Sequence, residues 1–153
     1  MASNRHLGRI IALQSLYECE FRTQCEDPSV SIDDILARNI ERYKDTVEDT
    51  AFIERLVHGV IKSTKEIDEM LQPIAPEWPI DQIARVDRTI LRMAVYELKE
   101  SGDVVPPKVA INEAVELAKA FGSDNSSKFV NGVLGTAYRT LVGDNDADAK
   151  AKV

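Results

Sequence analysis

Residues 121–134 read FGSDNSSKFVNGVL, and within this stretch one helix ends and the next begins. Gly122 is the residue type that often follows a helix in the left-handed conformation, and Ser126 is a favoured N-cap. The stretch therefore predicts a helix, a short polar loop and a second helix. On both sides of it the apolar residues recur with the helical period, and no segment alternates apolar and polar residues as a strand does. We predict an all-α protein.

Start and stop signals divide the rest of the chain into helices. Pro73 is expected to end a long helix, Asp87 to cap the start of the next, and Gly102 to end it. The result is a single compact bundle of about seven helices over residues 1–142, followed by a disordered polar tail over 143–153. The predicted helices are about 4–21, 31–43, 47–71, a short turn after 79, 87–98, 106–121 and 126–141.

The charge of the chain is unevenly distributed. The net charge is -7, yet residues 1–25 carry three basic and two acidic side chains, and residues 104–141 carry four basic and three acidic ones. The acidic excess lies mainly in residues 26–72, which hold twelve acidic and six basic side chains. A large basic surface is therefore excluded, but a small basic patch forms if the two positive segments meet in space.

Simple patterns argue against several other classes of protein. No apolar run is long enough to cross a bilayer, and no signal-peptide core follows the N-terminal charges, so we expect no membrane association. Cys19 and Cys25 have no histidine pair nearby, which argues against a metal site and fits a reducing, cytoplasmic location. The sequence has no glycine-rich phosphate loop, no nucleophile motif and no HExxH motif. We therefore predict no enzyme activity, no catalytic residue and no cofactor.

The last predicted helix opens with a cation, an aromatic ring and an amide, at Lys128, Phe129 and Asn131. In one interpretation Phe129 belongs to the core and Lys128 is simply solvated. In the other, this corner holds an anionic ligand that bears a ring. Because the dipole at a helix N-terminus disfavours cations, a lysine there is better explained if an anion arrives from outside. Lys119, one turn before the loop, is placed to join Lys128 at a phosphate.

The first helix carries a second basic feature. Arg5 and Arg9 are i and i+4 neighbours, a spacing that lets two guanidinium groups contact one nucleic-acid backbone. Such pairs also occur on many helices that bind no ligand. The pair by itself therefore leaves the function open.

Four segments together resemble the NusB family of transcription antitermination factors. The resemblance covers nearly the whole chain and implies an all-helical protein of two packed helical subdomains without catalytic activity. It also implies binding of the single-stranded boxA element of ribosomal RNA leaders together with ribosomal protein S10, in the antitermination complex that lets RNA polymerase read through terminators. The four segments are RIIALQSLYE at 9–18, VDRTILRMAVYEL at 86–98, VPPKVAINEAVELAKAFG at 105–122 and SSKFVNGVL at 126–134.

The resemblance further implies which residues contact the partners. The arginine and lysine side chains of the RNA-binding surface are expected to position phosphates. Tyr17 or Phe129 is expected to offer a ring to an unpaired base. For ribosomal protein S10, the resemblance points to Asp87 and Arg88. The implied RNA-binding residues are Arg5, Arg9, Gln14, Tyr17, Lys119, Asn125, Lys128, Phe129 and Asn131.

The start of the first helix departs from the family pattern. Many relatives carry a denser arginine cluster there, whereas this chain reads NRHLGR at 4–9. Fewer phosphate contacts predict weaker and less salt-sensitive RNA binding, so we expect the protein to depend on S10 for affinity. The sparse arginines and the acidic total also leave an alternative open. It is a NusB-like protein-interaction scaffold or homodimer with little RNA binding.

Overall fold

The computed structural model of the chain describes residues 2–100 and 105–141. Within them it contains six α-helices, one 3-10 turn at Ile80–Gln82 and no strand, which confirms the all-α prediction. The predicted count of about seven is reached only when the 3-10 turn is included. The Gly102 stop and the polar tail over 143–153 lie outside the described residues. The helices are α1 Ala2–Gln24, α2 Ile32–Arg42, α3 Thr50–Ile74, α4 Arg85–Glu100, α5 Pro107–Phe121 and α6 Ser126–Leu141.

The chain divides into two compact units, residues 1–63 and 64–153. The first unit contains α1, α2 and the beginning of α3. The second contains the remainder of α3, the 3-10 turn and α4 to α6. Each unit has its own buried apolar residues, as expected for helices that each bury one face.

The first unit is built around the packing of α1 on α2. Ile11, Ile35 and Ile53 are fully or almost fully buried in it. A buried polar link also joins the two helices, because Asn39 Nδ2 donates to Ser15 Oγ at 3.0 Å while Ser15 Oγ donates to the Ile11 carbonyl at 2.8 Å. Both polar side chains are buried, so these hydrogen bonds offset the cost of removing them from water.

Charged side chains fix the turn that follows α1. Arg22 donates to Glu18 at 3.0 Å and to Asp27 at 2.8 Å, and Arg38 of α2 forms an ion pair with Glu18. The hydroxyl and the backbone N–H of Ser29 both donate to Asp27, and together with Arg22 they lower the pKa of that carboxyl to about 2. Burial raises the pKa of Glu18, but hydrogen bonds from Arg38 and Arg22 outweigh it and lower the pKa overall. These ion pairs and hydrogen bonds link α1 to the turn that follows it and to α2.

In the second unit, α4, α5 and α6 each pack against the other two. The face of α5 that enters this core consists largely of small residues, with Ala110, Ala114 and Ala118 all buried at i, i+4 spacing. Small side chains let neighbouring helices approach closely. Pro107 occupies the first turn of α5, where its missing N–H costs no hydrogen bond, and the predicted start of this helix is confirmed.

The predicted helices at 4–21 and 47–71 are observed at Ala2–Gln24 and Thr50–Ile74, and two residues predicted to mark helix boundaries do not do so. Pro73 does not end α3, which continues to Ile74, because only one backbone hydrogen bond is lost and the Ala75 N–H still donates to the Leu71 carbonyl at 3.1 Å. Asp87 is not the N-cap of α4, because that helix begins at Arg85 and Asp87 lies in its first turn.

Candidate nucleic-acid interface

The corner between α5 and α6 is fixed by contact between Gly122 and Ser126. Gly122 has φ -93° and ψ -167°, so the expected left-handed conformation is wrong. Glycine is needed for another reason. A Cβ atom at Gly122 would lie 2.5 Å from Ser126 Oγ and 2.8 Å from the Ala118 carbonyl oxygen, both closer than atoms can approach.

Ser126 is buried and holds the loop rather than capping α6. Its Oγ accepts a hydrogen bond from the Ser123 N–H at 2.8 Å. The first turn of α6 is completed instead by the Asn125 carbonyl, which accepts from the Phe129 N–H at 3.1 Å. The loop therefore has one preferred path, and it presents Asn125 and the first turn of α6 in a fixed geometry.

Replacing Gly122 by alanine should lower the free energy of unfolding by about 1–3 kcal/mol, the usual cost of overpacking a site whose neighbours cannot move away. Chemical denaturation measures this change. Gly132→Ala on α6 is the matched control, because a Cβ there meets no atom within 4 Å and alanine should stabilise the helix by about 0.5–1 kcal/mol. Equal stability of the two variants would contradict the close contact at Gly122.

The predicted residues of the second unit lie mostly at the surface. Asn125, Lys128 and Asn131 are exposed, and Phe129 is half-buried, so its ring contributes to the core and is also accessible. Lys119 is exposed on the last turn of α5, with its Nζ 3.6 Å from a Glu116 carboxylate oxygen. Exposed ion pairs of this kind contribute little stability, so Lys119 remains available to an incoming anion.

A cavity of about 320 Å³ lies against Phe129. Trp78, Ser123 and Asn125 also line it, and so does Asp87 of α4. Asp87 is only 8% exposed, and its Oδ1 is buried without a hydrogen-bond partner among the described residues. A buried carboxylate oxygen without a donor is costly, so the cavity is suited to a group that brings an N–H or a cation.

Arg88, next to Asp87, has a different position. It is 6% exposed, and its Nη1 donates to the carbonyls of Ile80, Asp81 and Ile83 at 3.3, 3.4 and 2.9 Å. The guanidinium thus donates to three backbone carbonyls in and just after the 3-10 turn. Arg88 points inward, and Asp87 is the member of the pair that borders the cavity.

In the first unit, Arg5 and Arg9 of α1 both stack on Phe52. The guanidinium carbons of Arg5 and Arg9 lie 4.7 and 5.1 Å from the centre of that ring, within cation–π distance. Arg5 also forms an ion pair with Asp49 at 3.8 Å and keeps part of its side chain exposed. Arg9 is only 3% exposed. The pair is therefore unequal, with Arg5 at the surface and Arg9 buried.

Gln14 and Tyr17 lie on another face of α1. At about 100° per residue, Gln14 is about 180° around the helix from Arg5, so the four predicted α1 residues do not share one face. Tyr17 is 36% exposed, and Phe21, one turn later, is 48% exposed. Phe21 was not predicted as a site residue, although its i, i+4 spacing from Tyr17 was a usable signal.

Sequence reasoning also missed Trp78. Trp78 lies in the PEWP segment at 76–79, is 54% exposed and borders the cavity beside Phe129. The signal available in the sequence was a tryptophan directly before Pro79, which restricts the backbone after the ring.

Residues 2–100 and 105–141 contain neither a candidate metal site nor a candidate membrane-spanning helix. In these ranges no three histidine, cysteine or acidic residues are grouped so that they could hold a metal ion. No helix in the same part of the chain combines the length and the apolar character needed to cross a membrane.

Fold and site together define an all-helical protein with a polar and aromatic candidate RNA-binding corner. The NusB family profile matches residues 6–139, and the chain belongs to the NusB family. It is 41% identical over 149 residues to the transcription antitermination protein NusB of Chloroflexus aggregans, covering 97% of this chain and 95% of that protein. The NusB protein of Bacillus velezensis is 44% identical over 131 residues, covering 85% and 92%.

Solved structures agree with this assignment. The NusB structure of T. maritima superimposes with a TM-score of 0.80 at 28% identity, covering 94% of this chain and 96% of that one. A crystal structure of antitermination factors NusB and NusE in complex with double-stranded RNA gives a TM-score of 0.78 at 25% identity, covering 92% and 99%. These similarities confirm the family that the sequence segments indicated.

Proposed function

We propose that this protein is a transcription antitermination factor that acts without catalysis, binding boxA-type ribosomal RNA leader sequence together with ribosomal protein S10. The complex supports read-through by RNA polymerase. Family membership supports the general role, and a relative has been crystallised with RNA and NusE, which is ribosomal protein S10. The observation that carries the proposal is the corner at Phe129, where that half-buried ring and Asn125 line a cavity and the first turn of α6 exposes Lys128 and Asn131.

The RNA side of the proposal assigns roles by chemistry. Lys119 and Lys128 are exposed cations and position phosphates, a contact that carries no sequence information. Phe129 offers its ring to an unpaired base, while Asn125 and Asn131 provide amide groups for base edges or sugars. Single-stranded RNA suits such a site, because its unpaired bases are free to stack on a protein ring, whereas the bases of a duplex already stack on each other.

In the first unit, Arg5 is the proposed phosphate contact on α1. Arg9 supports it indirectly, because both guanidinium groups stack on Phe52. Tyr17 is exposed and offers a second ring, with Gln14 on the same face of the helix. We propose that these α1 residues also contact RNA.

The S10 side of the proposal rests on Asp87. Its buried Oδ1 lacks a donor among the described residues, and a lysine, an arginine or a backbone N–H of S10 supplies one. Arg88 contributes indirectly. Its hydrogen bonds to the backbone of the 3-10 turn hold the wall of the cavity beside Asp87 in place.

A titration with fluorescently labelled boxA RNA, with and without S10, tests the function. We expect weak binding by the protein alone and clearly tighter binding with S10, and a scrambled RNA of equal length should bind less well. If neither mixture binds RNA at low salt, the antitermination role falls. The alternative of a protein-interaction scaffold or homodimer would then remain, and sedimentation of the free protein would separate those two.

Arg5→Ala should reduce the salt dependence of RNA binding in the S10 mixture. Loss of one phosphate contact lowers the slope of log K against log[salt] by about 0.7 for single-stranded nucleic acid. Arg55→Ala is the matched control, because Arg55 is an exposed arginine of the same unit outside the proposed site. An unchanged slope for Arg5→Ala would remove this residue from the RNA surface.

A further inference from the structure

We propose that a groove beside Trp78 is a second nucleotide-binding subsite, which takes one unpaired nucleotide of single-stranded RNA. The base lies against the indole ring and the phosphate lies at Lys128. This proposal rests on the RNA-binding function proposed above and extends it to Trp78, which is not among the RNA-binding residues proposed so far.

The groove is distinct from the cavity that contains Asp87. It has a volume of about 380 Å³ and runs between the 74–78 segment and one side of α6. Lys128, Phe129, Gly132 and Val133 form the α6 side. Trp78 and Phe129 border both the groove and the Asp87 cavity.

The backbone that carries Trp78 is held firmly. The Trp78 N–H donates to the Ala75 carbonyl at 3.0 Å, and Gln72 Nε2 donates to the Trp78 carbonyl at 3.3 Å. Gln72 also accepts from the Ile80 N–H at 3.1 Å, and Pro79 restricts the chain immediately after the ring. An exposed ring on a fixed backbone loses little conformational freedom on binding, which favours stacking over a merely accidental exposure.

Gly132 gives independent evidence for a ligand in the groove. It lies inside α6, where glycine is less favourable than alanine. No packing contact within the described residues requires it, because a Cβ atom there would meet nothing within 4 Å. A helix-interior glycine that borders open space is explained if an outside group approaches the backbone closely.

The charges of the groove favour a nucleotide as the occupant. Lys128 and Glu77 are its two charged lining residues. A nucleotide matches both, because its phosphate is attracted to Lys128 while the exocyclic amino group of a base can donate to Glu77. Its base also supplies a flat ring for Trp78, and stacking of this kind tolerates different bases.

Tryptophan fluorescence tests the subsite directly, because Trp78 is the only tryptophan of the chain. Single-stranded boxA RNA is titrated into the protein with and without S10, and the Trp78→Phe variant supplies the background. We expect the emission assigned to Trp78 to fall and to saturate at the same RNA concentration as filter binding. If the emission of Trp78 changes on adding S10 alone and does not change on adding RNA, the ring contacts S10 and not RNA, and the proposal is overturned.

Substitutions give a second readout. Trp78→Ala should weaken RNA binding by about tenfold or more, and Gly132→Ala should weaken it while raising the melting temperature. Gly135→Ala is the matched control, because it makes the same change on α6 outside the groove and should raise the melting temperature without altering RNA affinity. RNA binding that leaves Trp78 emission and the affinity of Trp78→Ala unchanged would overturn this subsite alone. Absence of all RNA binding by the native protein would overturn the proposed function and the subsite together.

Discussion

Replacing Asp87 by asparagine should lower the affinity for ribosomal protein S10 by about 30-fold or more. Removing one charge from a buried, hydrogen-bonded pair between two proteins typically costs about 2–5 kcal/mol, and each 1.4 kcal/mol is tenfold. The free energy of unfolding of the free protein should not fall, because the variant removes a buried carboxylate whose Oδ1 has no donor among the described residues. Calorimetric titration and chemical denaturation measure the two quantities.

Asp81→Asn is the control for this experiment. Asp81 lies in the 3-10 turn close to Asp87 in sequence, but it is exposed and does not line the cavity. The two variants lose the same charge, so a general electrostatic effect on S10 would weaken both equally. If Asp87→Asn binds S10 normally and unfolds more easily, then Asp87 serves the fold and not the partner.

Replacing Phe129 by alanine should weaken binding of boxA RNA by about 5- to 150-fold, because loss of one stacking ring costs about 1–3 kcal/mol. The RNA titration is performed with S10 present, and circular dichroism is followed in parallel. Phe129 is half-buried, so some loss of stability is also expected from the removed apolar contacts. The effect on RNA should exceed what partial unfolding explains.

Phe129→Leu separates stacking from packing. Leucine keeps most of the apolar volume and removes the ring, so it should fold like the native protein yet bind RNA as poorly as the alanine variant. Full RNA affinity in the leucine variant would assign Phe129 to the core. That result would favour the first interpretation of the α6 corner, in which its residues only pack and cap.

Much of the fold could be predicted from local patterns. The α5 start at Pro107 and the 126–141 span of α6 depend on residues within one turn, and the structure confirms them. The failures occurred where a distant or competing contact matters. Pro73 failed as a stop because the helix tolerates the loss of one hydrogen bond in its last turn.

The candidate site was less predictable than the fold. Family segments pointed to Phe129 and Lys128, but nothing local to the sequence distinguishes Arg5, which is accessible, from Arg9, which is buried. The same limit applies to Asp87 and Arg88, neighbours whose side chains face a cavity and a set of backbone carbonyls respectively. Adjacent residues on a helix point about 100° apart, so their surroundings are set by other elements.

The sequence by itself determined the all-helical class, the approximate positions of the helices and the family, because helical period and short motifs are local properties. Tertiary structure alone decided that Gly122 is required by the approach of Ser126, that the Asp87 carboxylate borders an open cavity, and that Trp78 and Gly132 face the same groove. The second and third facts depend on residues that are distant in sequence meeting in space, and the first depends on the path of the loop between Gly122 and Ser126. Burial and hydrogen bonding depend on these tertiary contacts, so they cannot be predicted from a single segment of the sequence.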